Sequence, residues 1–194
     1  MERTQKDLRE IIIKSAQDIF ARFGFRKTTM DEIAQSINKA KSSLYHYFTS
    51  KQEIFKAIIE KEASLFREEI TRTVSRENTP QGKLHVYILT RMRMINQLAN
   101  LYSALKDEYL KQYDYIEELR EKYDKEEIEV IKEILKEGCK RGVYEIENLD
   151  RAASTIVSIL KGMEYSWIKE KDVKKAERYI DNLLEILFYG IVKR

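Results

Sequence analysis

Apolar positions recur at three- and four-residue intervals from the start of the chain. Leu8, Ile11, Ile12, Ala16, Ile19, Phe20 and Phe23 follow the helical period, and Gly24 ends the helix they define. Thr29-Met30-Asp31-Glu32 is a capping box, in which the Thr29 hydroxyl accepts a backbone N–H while Glu32 reaches back. It opens a short helix with Met30, Ile33, Ala34 and Ile37 turned inward. Asn38, which tolerates the left-handed conformation of a tight turn, follows it. A third short helix carries Leu44 and Phe48. Ser50-Lys51-Gln52-Glu53 is a second capping box, and a long helix runs from it through Ile54, Phe55, Ile58, Ile59, Ala63, Phe66 and Ile70.

Arg76 to Gly82 is the clearest loop. Beyond it the pattern predicts helices at roughly 83–100, 103–122, 124–141, 149–170 and 172–192, and no segment reads as a strand. With only 6 Gly and 1 Pro in 194 residues, little interrupts this periodicity. The expected fold is therefore all-α. An N-terminal three-helix domain, residues 1–66, is joined through a connecting helix over 50–73 to a larger helical domain, residues 67–194.

Composition narrows the class. Hydrophobic residues make up 43% and charged residues 36%, which describes a folded chain without a transmembrane span. The N-terminus opens an amphipathic pattern rather than an apolar signal region, and the single cysteine, Cys139, suits a reducing cytoplasm. Net charge is +3, unevenly spread. Residues 1–51 hold ten Lys or Arg against six Asp or Glu, leaving 26 basic and 27 acidic residues in the remainder. A basic head on a near-neutral body points to a polyanion met by the head alone.

The block from Thr28 to Lys51 carries the chemistry. A capped helix, a tight turn and a second short helix leaning on a longer one are the geometry of a helix-turn-helix that enters duplex DNA. At ~100° per residue, Leu44 and Phe48 face the small core. His46, Ser42 and Ser43 face outward, with Tyr45 and Tyr47 on the edges. These hydroxyls, phenols and the imidazole can all hydrogen-bond base edges or phosphates. Lys51, at a helix N-terminus, is placed for a phosphate, and Lys39 and Lys41 are further cations beside the turn.

Ala21-Arg22-Phe23-Gly24-Phe25, Thr28-Thr29-Met30-Asp31-Glu32-Ile33-Ala34 and above all Leu44-Tyr45-His46-Tyr47-Phe48-Thr49-Ser50-Lys51 resemble the tetracycline-repressor (TetR) family. The resemblance covers about the first third of the chain. It implies a dimer with DNA contacts from Thr29, Ser42, Ser43, Tyr45, His46, Tyr47 and Lys51, and a ligand pocket in the body whose occupancy releases DNA. Repression is the family's usual mode. The turn departs from the family's usual Gly-Val-Ser: here it is Asn38-Lys39-Ala40, where Asn38 can replace the glycine and Ala40 forgoes a cap of about 1 kcal/mol.

The body is rich in tyrosine, for which core packing is the ordinary explanation. A functional subset, Tyr87, Tyr102, Tyr109, Tyr113 and Tyr165, is expected to line a cavity with Met92, Met94, Leu98 and Trp167. Ile156, Leu160 and Met163, with Ile180, Leu184, Leu187 and Ile191, offer more apolar surface than one core covers, so a two-fold four-helix interface is expected from them.

The expected function is a ligand-responsive DNA-binding transcriptional regulator, a repressor released from a near-palindromic operator by a small apolar or aromatic effector. An enzyme finds no support in a Gly-rich phosphate loop, nucleophile elbow or metal-ligand spacing, and no cofactor is implied. The alternative is a dimeric helical ligand-binding or interaction protein that has lost sequence-specific DNA binding.

Overall fold

The computed structural model describes residues 2–98, 100, 114–169 and 173–190. For residues 2–7, 95, 96, 117, 120, 164–169, 173, 174 and 176 it describes the backbone alone. The chain divides into two compact units: residues 1–65 with 98–116, and residues 66–97 with 117–194. The break in sequence falls inside a helix, and the second segment of the first unit comes from what the sequence assigns to the body.

The first unit opens with α1 (Glu2–Phe23), α2 (Met30–Ser36) and α3 (Lys41–Tyr45), and α4 (Lys51–Val74) starts within it. Gly24, at φ 81°, closes α1 by donating its N–H to the Phe20 carbonyl at 2.8 Å. The buried stripe of α1 is Ile12, Ile13, Ala16 and Phe20, not the set the periodicity favours. Ile13 is 2% exposed and Ile11 50%, because three consecutive isoleucines fit two registers and the core accepts the later one. Phe23 is likewise outside the core, 55% exposed, with the Arg22 guanidinium 5.1 Å from its ring. Phe20, Phe25 and Phe55 meet at centroid distances of 5.5, 5.5 and 4.7 Å and join α1, the turn after it and α4. The buried Glu62 carboxylate adds a polar tie, accepting from Gln17 at 2.8 Å and Asn100 at 2.9 Å.

The second unit holds the later turns of α4 with α5 (Pro80–Gln97), α6 (Asp114–Lys140) from Glu117 onward, α7 (Leu149–Lys169) and α8 (Val173–Tyr189). α5 starts at Pro80, inside the expected loop, because the Thr79 hydroxyl accepts the Gly82 N–H at 3.0 Å and proline suits a first helical turn. α6 runs unbroken through 122–124, where the sequence pattern suggests two helices. No Gly or Pro occurs there, and Glu121–Lys125 and Lys122–Glu126 pair one turn apart at 3.4 and 3.9 Å. α5 packs on α7 and α8, and the core is built from Leu84, Ile88 and Met92 with Ile131, Leu135, Val157, Leu160 and Ile180.

Candidate nucleic-acid interface and effector cavity

The capping box at α2 is fully formed. The Glu32 N–H donates to Thr29 Oγ1 at 3.3 Å and the Thr29 N–H to Glu32 Oε2 at 2.7 Å, so Thr29 stands fixed and exposed at the helix start. Asn38 adopts φ 53° in the α2–α3 turn, and the Lys39 N–H returns to the Ala34 carbonyl at 3.0 Å. Asparagine tolerates this conformation and a β-branched residue does not. Asn38→Val should therefore cost about 1–2 kcal/mol, while Asn38→Gly should be close to neutral, as judged by the midpoint of chemical unfolding. An Asn38→Val head as stable as the parent would contradict the turn described.

α3 is one short helix of five residues that carries Leu44 but ends before Phe48, with His46 and Tyr47 in the turn beyond it. Its N-cap, Ala40, makes no side-chain cap, and the start of α3 is tied instead by Lys41 to Asp31 on α2 at 3.0 Å. That bond holds the Lys41 ammonium above its ordinary pKa, Asp31 being both hydrogen-bond acceptor and counter-charge. Leu44 and Phe48 are buried, and the Arg9 guanidinium lies 5.0 Å over the Phe48 ring. Lys39, Ser42, Tyr45 and His46 are exposed, while Ser43 and Tyr47 are half-buried. These residues present hydroxyls, a phenol and an imidazole, with Lys39 beside them, groups able to hydrogen-bond base edges or phosphates.

Lys51 is placed otherwise. Its ammonium donates to the carbonyls of Phe25 at 2.9 Å and Thr28 at 2.8 Å and stands 4.5 Å from the Phe25 ring centroid. The second capping box is also modified: Ser50 Oγ accepts the Glu53 N–H at 3.2 Å, but Glu53 takes the Thr49 N–H at 2.6 Å instead of that of Ser50.

The second unit contains a cavity of about 380 Å³. Phe66, Ile70 and Thr71 of α4, Tyr87 of α5, and Tyr123 and Val130 of α6 form its walls, with Arg67, Glu126, Glu127 and Glu129 supplying charge. The Phe66 and Tyr123 rings meet at 5.4 Å. Behind the wall, Arg91 Nε donates to Glu127 Oε1 and its terminal nitrogen to Oε2 at 3.3 Å, while the Tyr87 hydroxyl donates to Oε1 at 2.9 Å. All three residues are buried, and burial, followed by the charge of Glu127, pushes the Tyr87 phenol well above its ordinary pKa, so it remains a donor. A more open cleft of about 600 Å³ shares Ile70, Thr71, Glu129 and Val130 with this cavity and is edged by Lys83, Glu137 and Lys140.

Of the residues expected to line a pocket, Tyr87 does so here; Met92, Met94 and Leu98 are buried but line neither space. Tyr102, Tyr109 and Tyr113 lie outside the described residues, as do the side chains of Tyr165 and Trp167. Of the expected interface residues, Ile156, Leu160, Ile180 and Leu184 are already buried within one chain, Met163 is half-buried, Leu187 is exposed, and Ile191 lies outside the described residues. Among the described residues, the exposed large apolar side chains on these helices are Ile159, Tyr179, Ile186, Leu187 and Tyr189. Among the described residues no His, Cys, Asp and Glu group is arranged to hold a metal ion, and no helix is long and apolar enough to cross a membrane.

A helix-turn-helix head followed by a helical unit with an apolar-walled cavity defines a DNA-binding, ligand-responsive transcriptional regulator. The profile for bacterial regulatory proteins of the tetR family matches residues 12–58, and that for the C-terminal region of QacR-like proteins matches residues 66–193. The chain belongs to the TetR family. It is 22% identical over 189 residues to the HTH-type transcriptional regulator QacR of Staphylococcus aureus, across 96% of this chain and 100% of that one. A solved structure of a candidate fatty acid metabolism regulator from Clostridium perfringens is 29% identical with a TM-score of 0.70, covering 95% of this chain and 100% of its own. A transcriptional regulator from Cytophaga hutchinsonii is 26% identical with a TM-score of 0.76, covering 95% and 98%.

Proposed function

We propose that the protein is a homodimeric repressor, released from its operator by a neutral, mainly aromatic or apolar effector bound among α4, α5 and α6. The observation that carries this reading is the course of α4. Its first two turns tie Lys51 to the carbonyls before α2 and bury Phe55 in the core of the DNA-binding head, and its later turns supply Phe66, Ile70 and Thr71 to the cavity. A ligand that favours one position of those later turns biases the helix that carries both.

Thr29, Ser42, Ser43, Tyr45, His46 and Tyr47 are the residues assigned to DNA, with Lys39 and Lys41 beside them for phosphate. The charge balance of the cavity supports a neutral effector. Arg67 meets Glu126 at 3.4 Å, Lys132 meets Glu129 at 3.5 Å, and Arg91 pairs with Glu127, so no lining carboxylate needs a cationic ligand for neutrality. The volume, about 380 Å³, lies toward the small end of ligand pockets and suits a compact ring system.

Two measurements test the reading. Selection of duplexes from a random pool should return a near-palindromic site with half-sites about 34 Å apart or a multiple of that; weak, salt-insensitive binding to every duplex would instead favour a protein that no longer reads DNA. Titration should then compare a neutral fused-ring aromatic with a quaternary ammonium derivative of the same ring. The neutral compound should lower operator affinity by roughly five- to 150-fold, and operator must lower its affinity by the same factor. A response to the cation alone, or a compound whose binding ignores operator, would overturn the effector class.

A further inference from the structure

The geometry points to Lys51 as a positioning residue that holds the start of α2 against α4, in place of the phosphate contact its location at a helix N-terminus suggests. Two of the three N–H bonds of its ammonium are directed at the carbonyls of Phe25 and Thr28, at 2.9 and 2.8 Å, and the Phe25 ring lies under the charge at 4.5 Å. The charge is thus turned into the head. Charge-assisted bonds to carbonyls are strong, and a cation over an aromatic face adds to them.

The two carbonyls bracket the connection between α1 and α2. Within it the Thr28 hydroxyl donates to the Gly24 carbonyl at 3.0 Å, and Thr28 is buried. The Thr28 carbonyl and the Thr29 N–H belong to one planar peptide unit. Lys51 grips the oxygen of that unit at 2.8 Å, and Glu32 accepts its N–H at 2.7 Å. The plane that aims Thr29 and the first turn of α2 is therefore fixed from both sides, by α4 and by α2 itself. Phe55, one turn along α4, packs on Phe25 at 4.7 Å and makes the attachment stiff. A displacement of the first turn of α4 must carry the α2 N-terminus with it. The inference needs only that the head binds DNA, and stands apart from the effector's identity.

Lys51→Met keeps the length of the side chain and removes the donors; Lys51→Arg keeps the charge but replaces a compact ammonium with a planar fork. Each variant is compared with the parent protein on two duplexes, one recovered from a random pool by the parent and one of unrelated sequence, over a series of salt concentrations. Circular dichroism establishes that each is folded. A positioning role predicts that Lys51→Met binds the selected duplex about tenfold more weakly, with a much smaller loss on the unrelated duplex and an unchanged dependence on salt. Backbone N–H exchange at Thr29 to Asp31 should accelerate while α6 keeps its protection. Lys51→Arg should lose affinity for the selected duplex as well, and it carries the test if Lys51→Met does not fold. A lost phosphate contact would weaken both duplexes alike and lower the salt slope by about 1. A slope lowered by that amount, an unchanged ratio between the duplexes, or parental affinity in Lys51→Arg would overturn the proposal.

Discussion

Arg91→Met should destabilise the second unit by about 3–5 kcal/mol, the usual cost of removing one member of a buried ion pair and leaving the other charge behind. Arg91 and Glu127 are both buried, and the guanidinium binds the carboxylate through two nitrogens while Tyr87 donates from the side. The penalty comes from the stranded Glu127, which would have to take up a proton or admit water. Removing the whole set should therefore cost much less than removing one part. Arg91→Met with Glu127→Leu and Tyr87→Phe leaves no buried charge, and most of the lost stability should return. Urea unfolding of the single and triple variants measures both effects. A single variant within about 1 kcal/mol of the parent would mean that this carboxylate is solvated, contrary to the structure. The Tyr87 phenol sets a direction with pH as well. Its folded pKa lies well above the ordinary value, so its contribution is complete below the pKa of an unfolded tyrosine, about 10, and is lost as pH rises beyond that.

Local chemistry made the DNA-binding head readable from its residues. Thr29 and Glu32 cap one another wherever such a pair precedes an apolar run, Asn38 signals a left-handed turn, and Leu44 and Phe48, four residues apart, both enter the core although the short helix itself ends at Tyr45. These signals reside in neighbouring residues and need no tertiary partner. Where a segment fitted two arrangements, the choice was left to packing. Ile11-Ile12-Ile13 supports either of two buried stripes, and only burial in the folded core selects the one containing Ile13. Lys51 could be placed at a helix start, but the carbonyls that take its protons lie 23 and 26 residues earlier, beyond the reach of any local pattern.

The cavity was less legible for a related reason. Phe66, Tyr87 and Tyr123 come from three helices, and nothing in their spacing says that they converge. Tyr123 falls where the pattern suggests an interruption, although the helix that delivers it to the wall is continuous from Asp114 to Lys140. Arg91 and Glu127 look like ordinary surface charges in so charged a chain, and only their mutual burial sets them apart.

Ile186→Glu should split the proposed dimer and weaken operator binding by roughly two to four orders of magnitude, the advantage lost when two linked contacts become independent. α8 explains the choice of residue. Its broad apolar stripe divides once the chain folds: Ile180 and Leu184 turn into the body, while Tyr179, Ile186 and Leu187 remain 52%, 53% and 43% exposed. Tyr179, Leu183, Ile186 and Leu187 are spaced at four, seven and eight residues, which places them along one side of the helix. On α7 the exposed side carries Ile159 and Gly162, and a side chain at Gly162 would meet nothing within 4 Å, so a second helix has room to approach. Two such faces related by a two-fold axis would bury each other as a four-helix arrangement. A carboxylate at 186 would be exposed in the monomer, at little cost there, and desolvated in the dimer, where it would face its own copy. Val143→Glu, at another exposed apolar position in the turn between α6 and α7, should leave assembly intact and serves as the control. Sedimentation velocity at micromolar concentration reads the assembly directly, and an operator titration reads its consequence. If Ile186→Glu sediments as the parent does, the dimer is built on some other face; if it dissociates yet binds operator with parental affinity, the two heads do not act together.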